Sequence, residues 1–190
     1  MVHRDYLEVE PGPRRYRLGL RLWQVAQAYL GNADLVTTAR PIMDTLVAET
    51  GETVQLARLD GVENVYLAIA ESPHPMKLVS EVGTRLFAHA TGLGKVLLAA
   101  LPAEESEARL RAVELPRFTR HTVVDVDRLI EMLAVIRSGD TRVMTRKYVI
   151  GCRCIAIPIR DASGRVVAAM SVSVPTPRYD DESQPTSPRR

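Results

Sequence analysis

Apolar and polar positions alternate between residues 53 and 70, and on either side they recur every three to four residues. Thr53-Val-Gln-Leu-Ala-Arg-Leu59 and Val65-Tyr-Leu-Ala-Ile-Ala70, separated by Asp60-Gly61, predict a β-hairpin. Upstream, Leu22, Val25, Ala26 and Tyr29 share one stripe, so residues 20–29 read as a helix ending near Gly31. Asp34 is placed to cap a second helix that runs to about Thr50 and stops at Gly51. Pro41 inside that pattern predicts a boundary or a kink near Arg40. Residues 78–82 read as a third strand, after the Ser72-Pro73-His74-Pro75 loop. Leu93, Val96, Leu97 and Ala100 follow i, i+3, i+4, i+7 and predict a short helix with one buried face. Pro102-Ala-Glu-Glu105 opens another helix, with acidic residues near its positive end. Asp127 is the expected cap of a longer helix carrying Leu129, Met132, Leu133 and Ile136, closed by Gly139.

The final third returns to a period of two. Residues 142–149 are one candidate strand, and residues 152–160 and 166–174 form a hairpin across Asp161-Ala-Ser-Gly164. From Pro175 onward Pro, Ser, Asp and Arg dominate, a composition that builds no core and predicts a mobile tail. At the other end, Tyr6-Leu-Glu-Val-Glu10 and Arg14-Arg-Tyr-Arg-Leu-Gly19 flank Pro11-Gly12-Pro13 as a small hairpin, too small to be stable without packing on something. Helices, strands, helices and strands in that order imply an α+β domain with a mostly antiparallel central sheet flanked by helices.

Composition adds mainly exclusions. A chain of 190 residues with 46% hydrophobic and 25% charged residues has the balance of an ordinary globular domain. No apolar stretch is long enough to span a bilayer and no secretory pattern opens the chain, so the expected address is the cytoplasm, without a membrane. A net charge of +2 does not argue for nucleic acid, although Arg14 and Arg15 could lie against a phosphate backbone. The two cysteines, Cys152 and Cys154, are too close for a disulfide framework and lack the further cysteines of a structural zinc set. They read as small buried side chains on one face of a strand, and no metal or cofactor is expected.

Candidate chemistry gathers at two places. Gly92-Leu93-Gly94 opens the short helix, where first-turn amides lack intrahelical partners and glycines leave them unshielded. A small anion could touch those amides; a tight loop into a core helix is the alternative. The loop is not a nucleotide P-loop, because His89 stands where an earlier glycine is needed and Val96 where Ser or Thr must follow Lys95. Ser171 and Ser173 share one face of the last strand, with Cys154 on its hairpin partner. If that face turns toward the glycine loop, a few polar groups meet an apolar wall, as in metabolite sites; otherwise the serines face solvent or bond backbone. The histidines, His3, His74, His89 and His121, have no nucleophile companion, no serine occupies a strained elbow, and no carboxylate pair is set in an apolar context. An enzyme is not expected.

His89-Ala-Thr-Gly-Leu-Gly-Lys-Val-Leu-Leu-Ala-Ala-Leu-Pro102 resembles the characteristic motif of the isocitrate-lyase-regulator (IclR) family of bacterial transcription factors. Gly151-Cys-Arg-Cys-Ile-Ala-Ile-Pro-Ile-Arg-Asp-Ala-Ser-Gly-Arg-Val-Val-Ala-Ala-Met-Ser-Val-Ser-Val-Pro175 resembles its second block. Both lie in the family's order, and the resemblance covers roughly residues 1–177.

The resemblance implies a GAF-like effector-binding domain over residues 34–177, preceded by a linker helix at 20–33 and by the wing of a winged helix-turn-helix at 1–19, with a flexible tail at 178–190. The recognition helix of that DNA-binding module is absent from this sequence, so DNA would be reached only through a segment outside it. Position by position, Gly92, Leu93 and Gly94 match the loop whose amides hold an effector's carboxylate, and Cys154, Ser171 and Ser173 match the polar lining of the pocket. The implied partner is a small organic-acid or aromatic-acid effector that controls transcription allosterically, within a homodimer or homotetramer. An oligomerisation or interaction domain with a vestigial pocket is the alternative. The chain departs from the family at Met144-Thr-Arg-Lys147, where many members carry an acidic run; Arg146 or Lys147 would favour an anionic ligand instead.

Overall fold

A computed structural model of the chain describes residues 6–9, 16–21, 24, 34–139 and 151–179. Most of the helix expected over 20–29, the strand expected over 142–149 and the tail expected beyond 179, together with Arg14, Arg15, Arg146 and Lys147, lie outside these residues. The chain divides into two compact units between Ala39 and Arg40. In the first, β1 (Leu7–Val9) and β2 (Tyr16–Leu18) pair antiparallel with Leu7 opposite Leu18, and Arg17 bonds Glu8 across the ladder at 2.6 Å.

Helix α1 (Asp34–Thr50) closes on Gly51, whose φ of +71° is the left-handed conformation that glycine adopts without strain. It runs as one helix through Pro41, so no helix end falls near Arg40; one lost backbone bond is outweighed by the turns on either side. Thr45 Oγ1 donates to the Pro41 carbonyl at 2.9 Å.

The second unit is built on one antiparallel sheet. β3 (Thr53–Asp60) and β4 (Glu63–Ala70) form the expected hairpin across Gly61, and β6 (Cys152–Arg160) and β7 (Val166–Pro175) form the second. With β5 (Arg85–Phe87) the order is β5-β4-β3-β7-β6, which sets β3 and β7, far apart in sequence, side by side at the centre. Residues 78–82 are not a strand. The ladder position beside β4 is filled by the segment after Gly83, through Tyr66 N donating to Thr84 O (3.1 Å) and Gly83 N to Tyr66 O (2.8 Å), and then by β5.

Helix α2 (Gly92–Ala99) follows a 3-10 turn at Ala88–Ala90 and is buried along its whole length. On one side Leu93, Val96 and Leu97 pack on Ala57, Tyr66, Ala156 and Ala169 of the sheet. On the other, Leu98 and Ala99 pack with Leu110 of α3 (Ala103–Arg111) and with Leu129 and Leu133 of α4 (Val126–Arg137). A helix between two layers has no solvent face, which is why the single apolar stripe understated its burial. Three sheet alanines beneath it allow the close approach. Helix α4 is capped by Asp125 rather than Asp127: Asp125 Oδ1 accepts from Arg128 N at 2.9 Å, while Asp127 sits inside the first turn.

The chain beyond β7 begins anchored. A 3-10 turn at Thr176–Arg178 brings Arg178 into a two-pronged ion pair with Glu52 (2.6 and 2.7 Å), and Arg153 lies 4.1 Å over the Tyr179 ring. Arg178 and Tyr179 are therefore fixed rather than part of a free tail. No described helix is long and apolar enough to cross a membrane.

Candidate functional site

The register of the central strands decides where the polar side chains go. Gln55 of β3 stands opposite Ser171 of β7, and Ser173 lies between Thr53 on one side and Cys154 of β6 on the other. Alternation puts Gln55, Ser171, Ser173, Cys152 and Cys154 on the face turned toward the start of α2. They line a cavity of about 400 Å³, closed by Thr91, Gly92 and Leu93 and walled by apolar Tyr66, Leu78 and Leu86. Residues 78–81, released from the sheet, supply another wall.

The polar floor is a bonded cluster. Ser171 Oγ and Ser173 Oγ both donate to Gln55 Oε1, at 3.1 and 2.8 Å, and both serines are buried. The carboxamide oxygen is thereby occupied and its Nε2 is turned toward Ser80 Oγ, 3.5 Å away. With their protons committed to Gln55, the two hydroxyls keep lone pairs to accept bonds from a guest, while Gln55 Nε2 remains a donor. Cys154 Sγ lies 3.2 Å from Ser173 Oγ. The neighbouring Cys152 thiol pulls its pKa below the ordinary value against the effect of burial, with the positive charge of Lys95 assisting. The Cys154 thiol and burial together push Cys152 up.

Opposite this floor, Thr91 caps α2. Its Oγ1 accepts from Gly94 N at 2.9 Å and donates to the buried Asn64 Oδ1 at 2.7 Å. Gly92 and Leu93 line the cavity with first-turn amides that have no acceptor within the helix, at the positive end of its dipole. Gly94 is placed differently. It does not line the cavity, its N–H is taken by Thr91, and a Cβ there would stand 2.2 Å from Ala88 Cα. Five of the six expected effector residues thus share one cavity, and Gly94 serves the packing behind it.

Sequence reasoning missed Gln55, Thr91, Asn64 and the wall at 78–81. Gln55 shares the inward phase of Ala57 and Leu59, a polar residue on an apolar face, which was the available signal. Its contact with serines 116 and 118 residues away needs the tertiary register.

His89 is also outside the cavity. It is buried beside Phe87 and Phe118, with Nε2 3.0 Å from the Pro116 carbonyl and Nδ1 without a partner. Burial lowers its pKa below 6.5, with the Lys95 charge assisting and the Pro116 bond opposing. Below that pH the unfolded chain binds a proton that the folded imidazole resists, so acid removes stability here. The melting temperature is expected to fall from about pH 7 to about pH 5.5, and His89→Gln to flatten part of that decline. Parallel curves for the two proteins would contradict this account.

Comparison with known proteins identifies the family. The family model for the bacterial transcriptional regulator IclR C-terminal domain matches residues 27–187. The chain is 34% identical over 179 residues to the HTH-type transcriptional regulator KdgR of Dickeya chrysanthemi, covering 94% of the chain and 59% of that protein. It therefore spans about three-fifths of that relative's length. An IclR homolog from Microbacterium hydrocarbonoxydans, solved in complex with 4-hydroxybenzoate, superposes with a TM-score of 0.80 at 31% identity, over 96% of this chain and 75% of that one. The inducer-binding domain of a double mutant of PobR from Acinetobacter, bound to 3-hydroxybenzoic acid, gives a TM-score of 0.70 at 30% identity, over 77% and 86% of the two chains. The chain belongs to the IclR family through its C-terminal domain.

Proposed function

We propose that this domain is the effector sensor of an IclR-type transcriptional regulator and that its cavity holds a small organic or aromatic acid. The observation that carries the reading is the polarity of the cavity. The amides of Gly92 and Leu93 and the Gln55–Ser171–Ser173 cluster line the same cavity, together with apolar side chains. A carboxylate suits the amides, because the helix end is positive and, among the described residues, the lining includes no cationic side chain and its one charged residue, Glu81, is exposed. A hydroxyl or carbonyl on the same guest suits the serine lone pairs and Gln55 Nε2. Hydroxybenzoates have this shape, and they are what two relatives of this fold hold.

A sensor needs the ligand to favour one of two arrangements of the protein. In the proposed regulator the effector's preference between arrangements of a cytoplasmic homodimer or homotetramer changes how attached DNA-binding domains sit on DNA. No catalytic step is part of the reading, and the relatives, named as regulators and repressors, support a non-enzyme.

The test is calorimetric titration with 4-hydroxybenzoate, 3-hydroxybenzoate and small aliphatic carboxylic acids. At least one is expected to bind the wild type. Ser171→Ala combined with Ser173→Ala is expected to weaken it by about tenfold or more, two hydrogen bonds at about 0.5–1.5 kcal/mol each. Undiminished binding in the double variant would overturn the pocket assignment, and no binding by the wild type would overturn the ligand class.

A further inference from the structure

A second cavity, of about 330 Å³, is lined mainly by charged and polar side chains and shares no lining residue with the first. Arg117, Arg120, His121 and Asp125 line it, with Arg128 from the first turn of α4. Elsewhere in the same unit Arg40, Arg85, Arg109, Arg111, Arg165 and Arg178 each pair with a carboxylate. Among the described residues no carboxylate pairs with Arg117, Arg120 or Arg128. Asp127, in the same turn as Arg128, is bonded to Arg111 instead. Three guanidinium charges against the single carboxylate of Asp125 leave the lining with a surplus of two positive charges. Like charges gathered in one concavity repel each other and raise the local concentration of anions.

The loop that carries two of the arginines is held by its own bonds. The buried Thr122 Oγ1 accepts from Phe118 N and Thr119 N, at 3.3 and 2.9 Å, and Thr119 Oγ1 accepts from His121 N at 3.2 Å. Arg117 Nη1 donates to the Thr122 carbonyl at 3.2 Å, and Arg120 Nε to His121 Nε2 at 3.2 Å. Each bond uses one of a guanidinium's five N–H donors and leaves the others for a guest. Planar forks of this kind match the paired oxygens of a carboxylate or a phosphate. Charge chooses between those two. A carboxylate carries one negative charge, whereas a phosphate monoester carries about −1.5 to −2 at pH 7, which matches the surplus. The volume stands at the lower end of the roughly 300–1,000 Å³ of small-molecule sites, so a small guest fits the concavity.

We propose that this cavity is a second ligand site of the domain, for a phosphate dianion, free or as a small monoester, gripped by Arg117, Arg120 and Arg128. Binding makes and breaks no covalent bond. The site stands whether or not the first cavity holds an acid.

The test is calorimetric titration of the 190-residue chain with inorganic phosphate and with glycerol phosphate, both at one fixed ionic strength. One saturable site per chain is expected, and its affinity should fall when the titration is repeated at higher salt, because the three arginines are exposed. Tighter binding of glycerol phosphate assigns the site to an ester, and tighter binding of inorganic phosphate to the free ion. Arg120→Ala and Arg128→Ala are each expected to weaken binding by about tenfold or more, as loss of a hydrogen bond to a charged group does. Arg128→Lys, which keeps the charge and loses the fork, should recover only part of that loss. Arg165→Ala, at an exposed arginine outside the cavity, should change nothing. No saturable binding of either probe, or binding undiminished by Arg120→Ala and Arg128→Ala, would overturn the site. A short DNA duplex held through the same arginines while neither probe binds would overturn it too, in favour of a nucleic-acid backbone. Phosphate binding lost in the Ser171/Ser173 double variant would move the phosphate to the first cavity and overturn the second. Acid binding lost in that variant with phosphate binding retained separates this result from the effector reading.

Discussion

Gly94→Ala is expected to cost about 3 kcal/mol or more of folding stability, a large share of the roughly 5–15 kcal/mol that holds a domain together. The added Cβ would meet Ala88 Cα at 2.2 Å, its carbonyl oxygen at 2.3 Å and its carbonyl carbon at 2.6 Å. All three are backbone atoms, so no side chain can rotate aside. Either α2 lifts from the 3-10 turn at Ala88–Ala90, or the turn itself moves. Both are fixed from two sides. Leu93, Val96 and Leu97 hold α2 on the sheet, and Leu98 holds it against Leu110, Leu129 and Leu133. Displacing α2 therefore opens two cores together, which is why the upper end of the usual overpacking range applies. Urea denaturation should give a lower midpoint at an unchanged slope. A variant within about 0.5 kcal/mol of wild type would show that the contact relaxes at little cost. The prediction also separates two roles for this glycine. A residue needed only to expose an amide to ligand would leave the ligand-free stability alone.

The sequence pattern carried the two hairpins, the buried helix after the glycines and the α+β order, because each depends on local alternation and local turn chemistry. Two of its misplacements turn on contacts that composition does not show. Residues 78–82 have the composition of a strand, yet strands need a free edge, and Gly83, Thr84 and β5 already occupy the edge of β4. Asp125 and Asp127 are equally good caps in composition, and only the donor three residues on, Arg128 N, distinguishes them. The serine face was legible from alternation within β7. Its partner Gln55 was not, because pairing β3 with β7 joins segments more than a hundred residues apart. The family resemblance joined the serines to the glycine loop, and the fold adds the floor beneath them. Gly94 is the instructive divergence: the same glycine pattern that suggested an anion site serves, at its second glycine, to let a helix approach a backbone.

Thr91→Val is expected to cost about 2–4 kcal/mol, about 1 for the lost helix cap and about 1–3 for stranding a buried acceptor. The hydroxyl it removes works twice, accepting from Gly94 N and donating to Asn64 Oδ1. Asn64 is fully buried and its Nδ2 has no partner, so Thr91 supplies the bond its carboxamide makes. Asn64→Leu should likewise be costly, since it strands the Thr91 proton. The double variant should be cheaper than the sum, because two apolar groups of similar shape leave nothing unpaired except the cap. A double-mutant cycle should return a coupling of about 1–2 kcal/mol, and additivity within about 0.5 kcal/mol would contradict the network. The cycle has a second readout. Asn64 does not line the cavity, whereas the amides of Gly92 and Leu93 do, and Thr91 connects them. Asn64→Leu is therefore expected to weaken acid binding without removing any group that touches the acid, because the loop it steadies presents the amides. If Asn64→Leu lowers stability but leaves affinity unchanged, the cap supports the helix alone and the amides hold their positions without it.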